Sequence, residues 1–298
     1  MFKEIALDPQ CMANFEYYGL LKNSFGPERG RYLIAPLREW VQAAVQALKA
    51  SNIAPVKRKS VSNFLNKLQR DRQNPYLILP KDRQNVVENG FEPWLRWMSA
   101  QQQFRPFVAV VSEQKIDGSL DYLAVLDDKA HWPVSPTIQV DRNVESIASA
   151  LMPLWYLAKD IVIIDAYFRF TVNPLLQQLL KDISRYRSII SLTIVTAMDT
   201  ANAELVYQRE FASKPYSLPA IRLMKVPQGY FHDRYLLTNI GSVKAGHGFS
   251  VDVEKGVQAD KLSLSLCGEA ETADAHQHVR SLLERQLVQE WQWPAAQK

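Results

Sequence analysis

Residues 161–168 read Ile161-Val162-Ile163-Ile164-Asp165-Ala166-Tyr167-Phe168. The opening run of β-branched residues is too short for a helix and too continuous for a strand with one wet face. It predicts a short strand buried on both faces, the mark of a largely parallel sheet covered by helices. Asp165 closes the strand, and Tyr167 and Phe168 read as core.

The same alternation continues on either side. Residues 144–158 are predicted helical, and Asn173 is placed to cap a helix reaching about residue 187. Residues 189–195 and 221–226 read as apolar strands around a helical 201–212. Residues 234–238 and 261–266 add strands, and 274–290 reads as a C-terminal helix. Strands alternating with helices predict an α/β domain over 141–298, its sheet carrying helices on both faces.

Residues 1–140 read as a separate α+β portion. Leu37, Trp40, Val41, Ala44, Val45 and Leu48 form one helical stripe, entered at Pro36. Ser60 is placed to cap a second helix holding Val61, Phe64, Leu65 and Leu68, and 93–103 reads as a third. Residues 107–111 and 122–126 are β-rich runs around Asp117-Gly118, which predicts a hairpin. The Pro-bearing stretch 131–136 reads as a connection.

Composition narrows the class. The chain has 298 residues, 47% hydrophobic and 22% charged, with 11 Gly and 16 Pro. That excludes wholesale disorder, collagen and a coiled-coil rod. Apolar runs fall far short of the roughly 20 residues a membrane span needs, and charges occupy the N-terminus where a signal peptide is apolar. Cys11 and Cys267 are too few and too far apart for a disulfide scaffold or a Cys-rich zinc site. A cytoplasmic protein with reduced thiols and no membrane partner is expected. No metal-ligand spacing, phosphate loop or nucleophile elbow is present, so neither a metal nor a cofactor is expected.

Net charge is +4 and unevenly spread. Residues 54–83 hold eight Lys and Arg against two Asp. Lys57, Arg58, Lys59, Lys67, Arg70 and Arg72 are candidates to meet a nucleic-acid backbone, with a solvated surface as the alternative.

The chemistry-bearing stretch is Phe231-His232-Asp233-Arg234-Tyr235-Leu236-Leu237-Thr238-Asn239, followed by Gly246-His247-Gly248-Phe249-Ser250. On a strand, His232 and Arg234 would share a face. A guanidinium offers a fork of donors to phosphate, and an imidazole can donate or attack phosphorus. Gly246 and Gly248 let backbone approach closely and can turn N–H groups toward an anion. Arg234 could instead pair with Asp165 or Glu269 as a structural bridge.

This segment resembles the phospholipase D superfamily. The family pattern is His-x-Lys, four residues, Asp, then after six more a Gly-Ser-x-Asn-like turn. Here the same spacing holds His232, Arg234, Asn239 and the turn from Gly246. It is most similar to the diverged branch with His-Asp-Arg, which includes the C-terminal domains of MIT-domain proteins and single-copy prokaryotic relatives. The resemblance covers about residues 143–290. It implies a catalytic set of His232, Arg234 and Asn239, and a phosphate-binding set of Gly246, His247, Gly248, Ser250 and Asp165. It implies a phosphodiester substrate or ligand, nucleic acid above lipid, and a setting such as mobile-element or anti-phage defence. Active members bring two His motifs together, so a single motif implies a homodimer if the chain is a metal-independent nuclease. Arg for Lys and Asn for Asp depart from the pattern, and Asn239 removes the carboxylate that would orient an imidazole. A degenerate site that only binds, or a non-catalytic module engaging a partner protein, are the competing readings.

Overall fold

The computed structural model describes residues 1–71, 76–87, 90–186, 188–251 and 260–294, and the nominated Arg72 lies outside them. Two compact units divide the chain, Phe2–Ser135 and Pro136–Lys298.

In the first unit, β1 (Lys3–Leu7) leads through α1 (Phe15–Ser24) to β2 (Arg31–Ile34). Next come α2 (Leu37–Ala50), α3 (Pro55–Arg70) and β3 (Leu77–Ile78). The unit ends with α4 (Trp94–Phe104), β4 (Ala109–Val111) and α5 (Tyr122–Asp127). The strands form a parallel sheet in the order β3-β2-β1-β4. The stripe read from α2 is buried at Trp40, Val41, Ala44 and Leu48, and Trp40 Nε1 donates to the Leu7 carbonyl at 2.8 Å. α3 starts at Pro55, whose fixed φ suits a first turn, so Ser60 lies inside the helix and its Oγ bonds back to Val56 O.

The predicted hairpin does not form. Gly118 makes a turn with φ +73°, but Leu120 returns to bridge Val111 in the parallel sense. Residues 122–127 are then helical, because Asp121 accepts the Ala124 N–H at 2.8 Å and starts a turn. Part of the basic excess is also structural. Arg83 is fully buried, bonded to Glu4 at 2.7 Å and 3.1 Å and to the carbonyls of Gln101 and Arg105.

The second unit begins with β5 (Thr137–Asp141), α6 (Val144–Leu157) and β6 (Asp160–Ile164). Then follow α7 (Pro174–Tyr186), β7 (Ser191–Thr196), α8 (Ala203–Tyr207) and β8 (Ala220–Lys225). The remainder is β9 (Tyr235–Thr238), β10 (Val243–Ala245), β11 (Lys261–Leu266), α9 (Glu269–Glu284) and β12 (Gln289–Trp293). These strands build one mixed sheet, ordered β12-β8-β7-β6-β9-β10-β11-β5. β6, β7 and β8 run parallel, whereas β9 is antiparallel to β6.

The buried-strand prediction for 161–164 holds on both faces. Ile164, Val195, Met224 and Leu237 cluster with Val279 and Leu282 of α9. The alternate residues Ile163, Ile194, Leu223 and Leu236 are buried too. Each such side chain contributes about 1.5–3 kcal/mol relative to exposure. Asn143 and Asn173 cap α6 and α7, accepting from Ser146 N at 2.8 Å and Leu176 N at 3.0 Å.

The C-terminal helix begins five residues before the predicted 274 and ends six before the predicted 290. Gln286 turns left-handed at φ +55°, and Leu287 N donates back to Leu282 O at 3.0 Å. That closes α9 and releases 289–293 to pair with β8. Among the described residues no helix is long and apolar enough to cross a membrane. Cys11 and Cys267 are free and buried.

Candidate functional site

The carboxyl end of β6 is where the motif residues other than Asn239 meet. Ile164 pairs with Tyr235, so Asp165 stands beside the start of β9. Ala245 N donates to Arg234 O at 2.9 Å, bringing the turn after β10 to the same edge. Arg142 N donates to Asp260 O at 2.9 Å, so the residue after β5 arrives there as well.

Asp165 is 1% exposed. Its Oδ1 accepts the Tyr167 N–H at 2.9 Å and its Oδ2 accepts the Phe249 N–H at 2.7 Å. Burial pushes the carboxyl above its ordinary range, against the pull of these two N–H groups and of Arg234 and Arg142. Gly248 has φ +78°, and a Cβ there would lie 2.6 Å from Asp165 Oδ2. The glycine is therefore required by close approach as well as by dihedral angle. The anion-cradling turn read from the sequence exists, but the anion it holds is the protein's own Asp165.

Gly246 N–H is likewise spent internally, donating to Ser263 O at 3.0 Å. The carbonyls of His247, Gly248 and Ser250 all face Arg142, at 2.9, 3.3 and 2.9 Å. The turn thus positions a guanidinium and leaves no role for Gly246 as a phosphate donor. Arg142 Nη1 is buried and has no hydrogen-bond partner among the described residues. Desolvation lowers the Arg142 pKa, with Arg234 pushing the same way and Asp165 opposing. Arg142 escaped the sequence reading because β5 is polar and joins the sheet only through β11, 120 residues away at Asp141 and Lys261.

Arg234 is half-buried, its guanidinium 5.8 Å from the centre of the Tyr167 ring. Tyr167 is 54% exposed, not core as expected, while Phe168 is fully buried. The tyrosine follows the strand end, where alternation no longer dictates burial. Strand β9 begins only at Tyr235, so His232 and Arg234 precede it and the same-face argument does not apply. His232 is exposed and has no hydrogen-bond partner among the described residues. Between the two, Asp233 pairs with Lys244 at 3.1 Å. His247 is exposed at the same edge.

Asn239 is not brought to His232. It follows β9 at the opposite end, where its Oδ1 accepts Lys159 N at 2.7 Å and Asp160 N at 3.3 Å. Four strand residues, about 13 Å, lie between them. Its role is to join the end of β9 to the start of β6. Arg234 also forms no ion pair with Asp165 or Glu269 among the described residues.

Of the nominated cations of the first unit, Lys57, Arg58, Lys59, Lys67 and Arg70 lie on α3 and are exposed. Lys57 sits over the Phe15 ring at 5.0 Å, and Arg58 donates to Ser51 O at 2.7 Å. Lys59, Lys67 and Arg70 are in no ion pair among the described residues. Among those residues, no three His, Cys, Asp or Glu side chains gather as a metal would require.

No family model matches the chain, and no curated protein matches it. Among solved structures, the archaeal chromatin protein TrmBL2, whose structure shows a novel mode of DNA binding, is similar at 12% identity and TM-score 0.32. That similarity covers 84% of this chain and 82% of TrmBL2. The phospholipase D family member Nuc from Salmonella typhimurium is similar at 12% identity and TM-score 0.33, over 97% of its own length. The chain therefore has a distant structural similarity, over 52% of its length, to a phospholipase D family member.

Proposed function

We propose that the second unit is a diverged, single-motif phospholipase-D-like domain that binds a phosphodiester, the backbone of a nucleic acid, without cleaving it. Arg142 and Arg234 both act electrostatically on one carboxyl, Asp165, whose two oxygens are already taken by backbone N–H groups. Two guanidinium groups that repel each other are relieved together by one incoming phosphate. Binding rather than cleavage is favoured because nothing orients His232: no described group holds its proton, and Asn239 is at the wrong end of β9. On the first unit, Lys59, Lys67 and Arg70 of α3 offer a separate set of exposed cations to a nucleic-acid backbone.

The test is anisotropy with a labelled oligonucleotide, on the full chain and on Arg142→Gln and Arg234→Gln. A charge-assisted bond is worth about 1.5–3 kcal/mol, so each variant should bind about 10- to 150-fold more weakly. Each should also flatten the log–log salt slope by about 0.7–0.9. Unchanged affinity in folded variants refutes the site.

The exposure of His232 favours one second reading, a metal-independent nuclease in which two copies each present this imidazole. EDTA-resistant cleavage by a dimer, abolished in His232→Ala, would establish it. A strict monomer that cleaves would exclude the shared site.

A further inference from the structure

A groove of about 430 Å³ opens between α1 and α3 of the first unit. Ser60, Asn63, Phe64 and Lys67 line it from α3 at spacing i, i+3, i+4 and i+7, one face of the helix. Tyr18 and Lys22 line it from α1, and Tyr76 closes it. We infer that this groove takes an unpaired base of a single-stranded nucleic acid, stacked on Phe64 and flanked by Lys22 and Lys67. The inference rests on the reading that the chain binds nucleic acid, and adds which form it binds.

The aromatic groups are arranged for it. Phe64 meets Tyr18 edge to face at 5.4 Å and Tyr76 edge to face at 6.2 Å. All three rings are half-exposed and line the groove, so ring surface is open to it. A planar base has a surface to lie on, and stacking of this kind does not depend on base identity. The volume falls within the roughly 300–1,000 Å³ of small-ligand pockets, enough for a nucleotide.

The charges point the same way. Lys22 lies 5.9 Å from the Tyr18 ring centre, and Lys67 stands on the opposite wall. Neither is in an ion pair among the described residues, nor is Arg70, one helical turn below Lys67. Asp71 is the one acid among the described residues of the lining. Cations at the rim with aromatic rings between them match a phosphate–base–phosphate repeat, which an apolar peptide segment does not present. A duplex keeps its bases stacked inside and cannot offer one to the rings without unpairing it.

The experiment compares oligothymidylate of about 12 nucleotides with a duplex of the same length, by anisotropy on the full chain. Single strand should bind at least about tenfold more tightly. Phe64→Leu keeps an apolar side chain toward the core but removes the flat ring. It should weaken single-strand binding about 5- to 150-fold and leave duplex binding unchanged. Asn63→Asp, at an exposed helical position, places a carboxylate in the groove and should also weaken single-strand binding. It carries the test if Phe64→Leu fails to fold.

Equal affinity for both forms, or folded groove variants with unchanged single-strand affinity, would overturn the inference. If Arg142→Gln and Arg234→Gln still lost affinity, the phosphodiester reading would survive that result. Binding of polyglutamate as tight as that of the single strand would reduce the groove to a general anion face and overturn it as well. Absence of any oligonucleotide binding would remove both readings.

Discussion

Gly248 and Asp165 approach so closely that a Cβ on the glycine would stand 2.6 Å from the carboxylate Oδ2. The glycine turn and the end of β6 are thereby joined, and Arg142 is aimed by the carbonyls of the same turn. Gly248→Ala should therefore lose stability twice over. A side chain at φ +78° is strained by about 1–3 kcal/mol, and the carboxylate must also move. In denaturant unfolding, adding Asp165→Ala should recover part of the loss, giving a non-additive pair. Simple additivity would show that the two residues are not in contact.

Two buried carboxylates should give opposite pH dependences. Burial raises the folded pKa of Asp165 above its ordinary 3.8. Its contribution is full below 3.8 and is lost as pH rises through the raised value. For Glu4, burial acts upward, but bonds from Arg105 and Arg83 outweigh it and the pKa falls below 4.5. Its contribution is full above 4.5 and is lost as pH falls through the lowered value. Stability measured against pH for wild type, Asp165→Asn and Glu4→Gln should show the two differences trending in opposite directions. Parallel trends would contradict the assignment.

Asn239 and His232 should separate cleanly. Asn239→Ala leaves two backbone N–H groups without their acceptor. The bonds are exposed, so water replaces the acceptor and the loss should be about 0.5–1.5 kcal/mol, with phosphodiester affinity retained in the folded protein. His232→Ala removes an exposed side chain without a hydrogen-bond partner among the described residues, so stability should change by less than about 0.5 kcal/mol. Melting curves with a binding curve for each variant decide. A large stability loss in His232→Ala would mean that the imidazole has a structural partner.

Arg83 serves the fold of the first unit rather than its surface. It is fully buried against Glu4, and truncating one partner of a buried pair typically costs about 3–5 kcal/mol. Arg83→Ala should fall in that range by chemical denaturation. Lys67→Ala, at an exposed helical position, should stay within about 0.5 kcal/mol. Similar effects from both would argue against the buried pairing.

The reading of 161–164 as a doubly buried strand, and of the helices at 37–50, 144–157 and 174–186, came from local signals. Apolar period, β-branching, a Pro at a helix entrance and an Asn cap are each contained in a few residues. The Gly-x-Gly turn was legible for the same reason, since a positive φ is a property of one position. What those glycines approach was not. Phe249 meets Asp165 across 84 residues and Arg142 meets Ser250 across 108, separations at which no periodicity connects one residue to the next. Strand β5 carries too weak an apolar pattern to be read alone; it is a strand because β11 offers it hydrogen bonds. Asn239 shows the converse limit. Its spacing from His232 matched a family motif, yet a strand holds residues at its two ends apart, and side-chain partners at each end are chosen by whichever backbone the sheet places there. Tertiary structure decided that the anion in the glycine turn is Asp165 and that the cation beside it is Arg142.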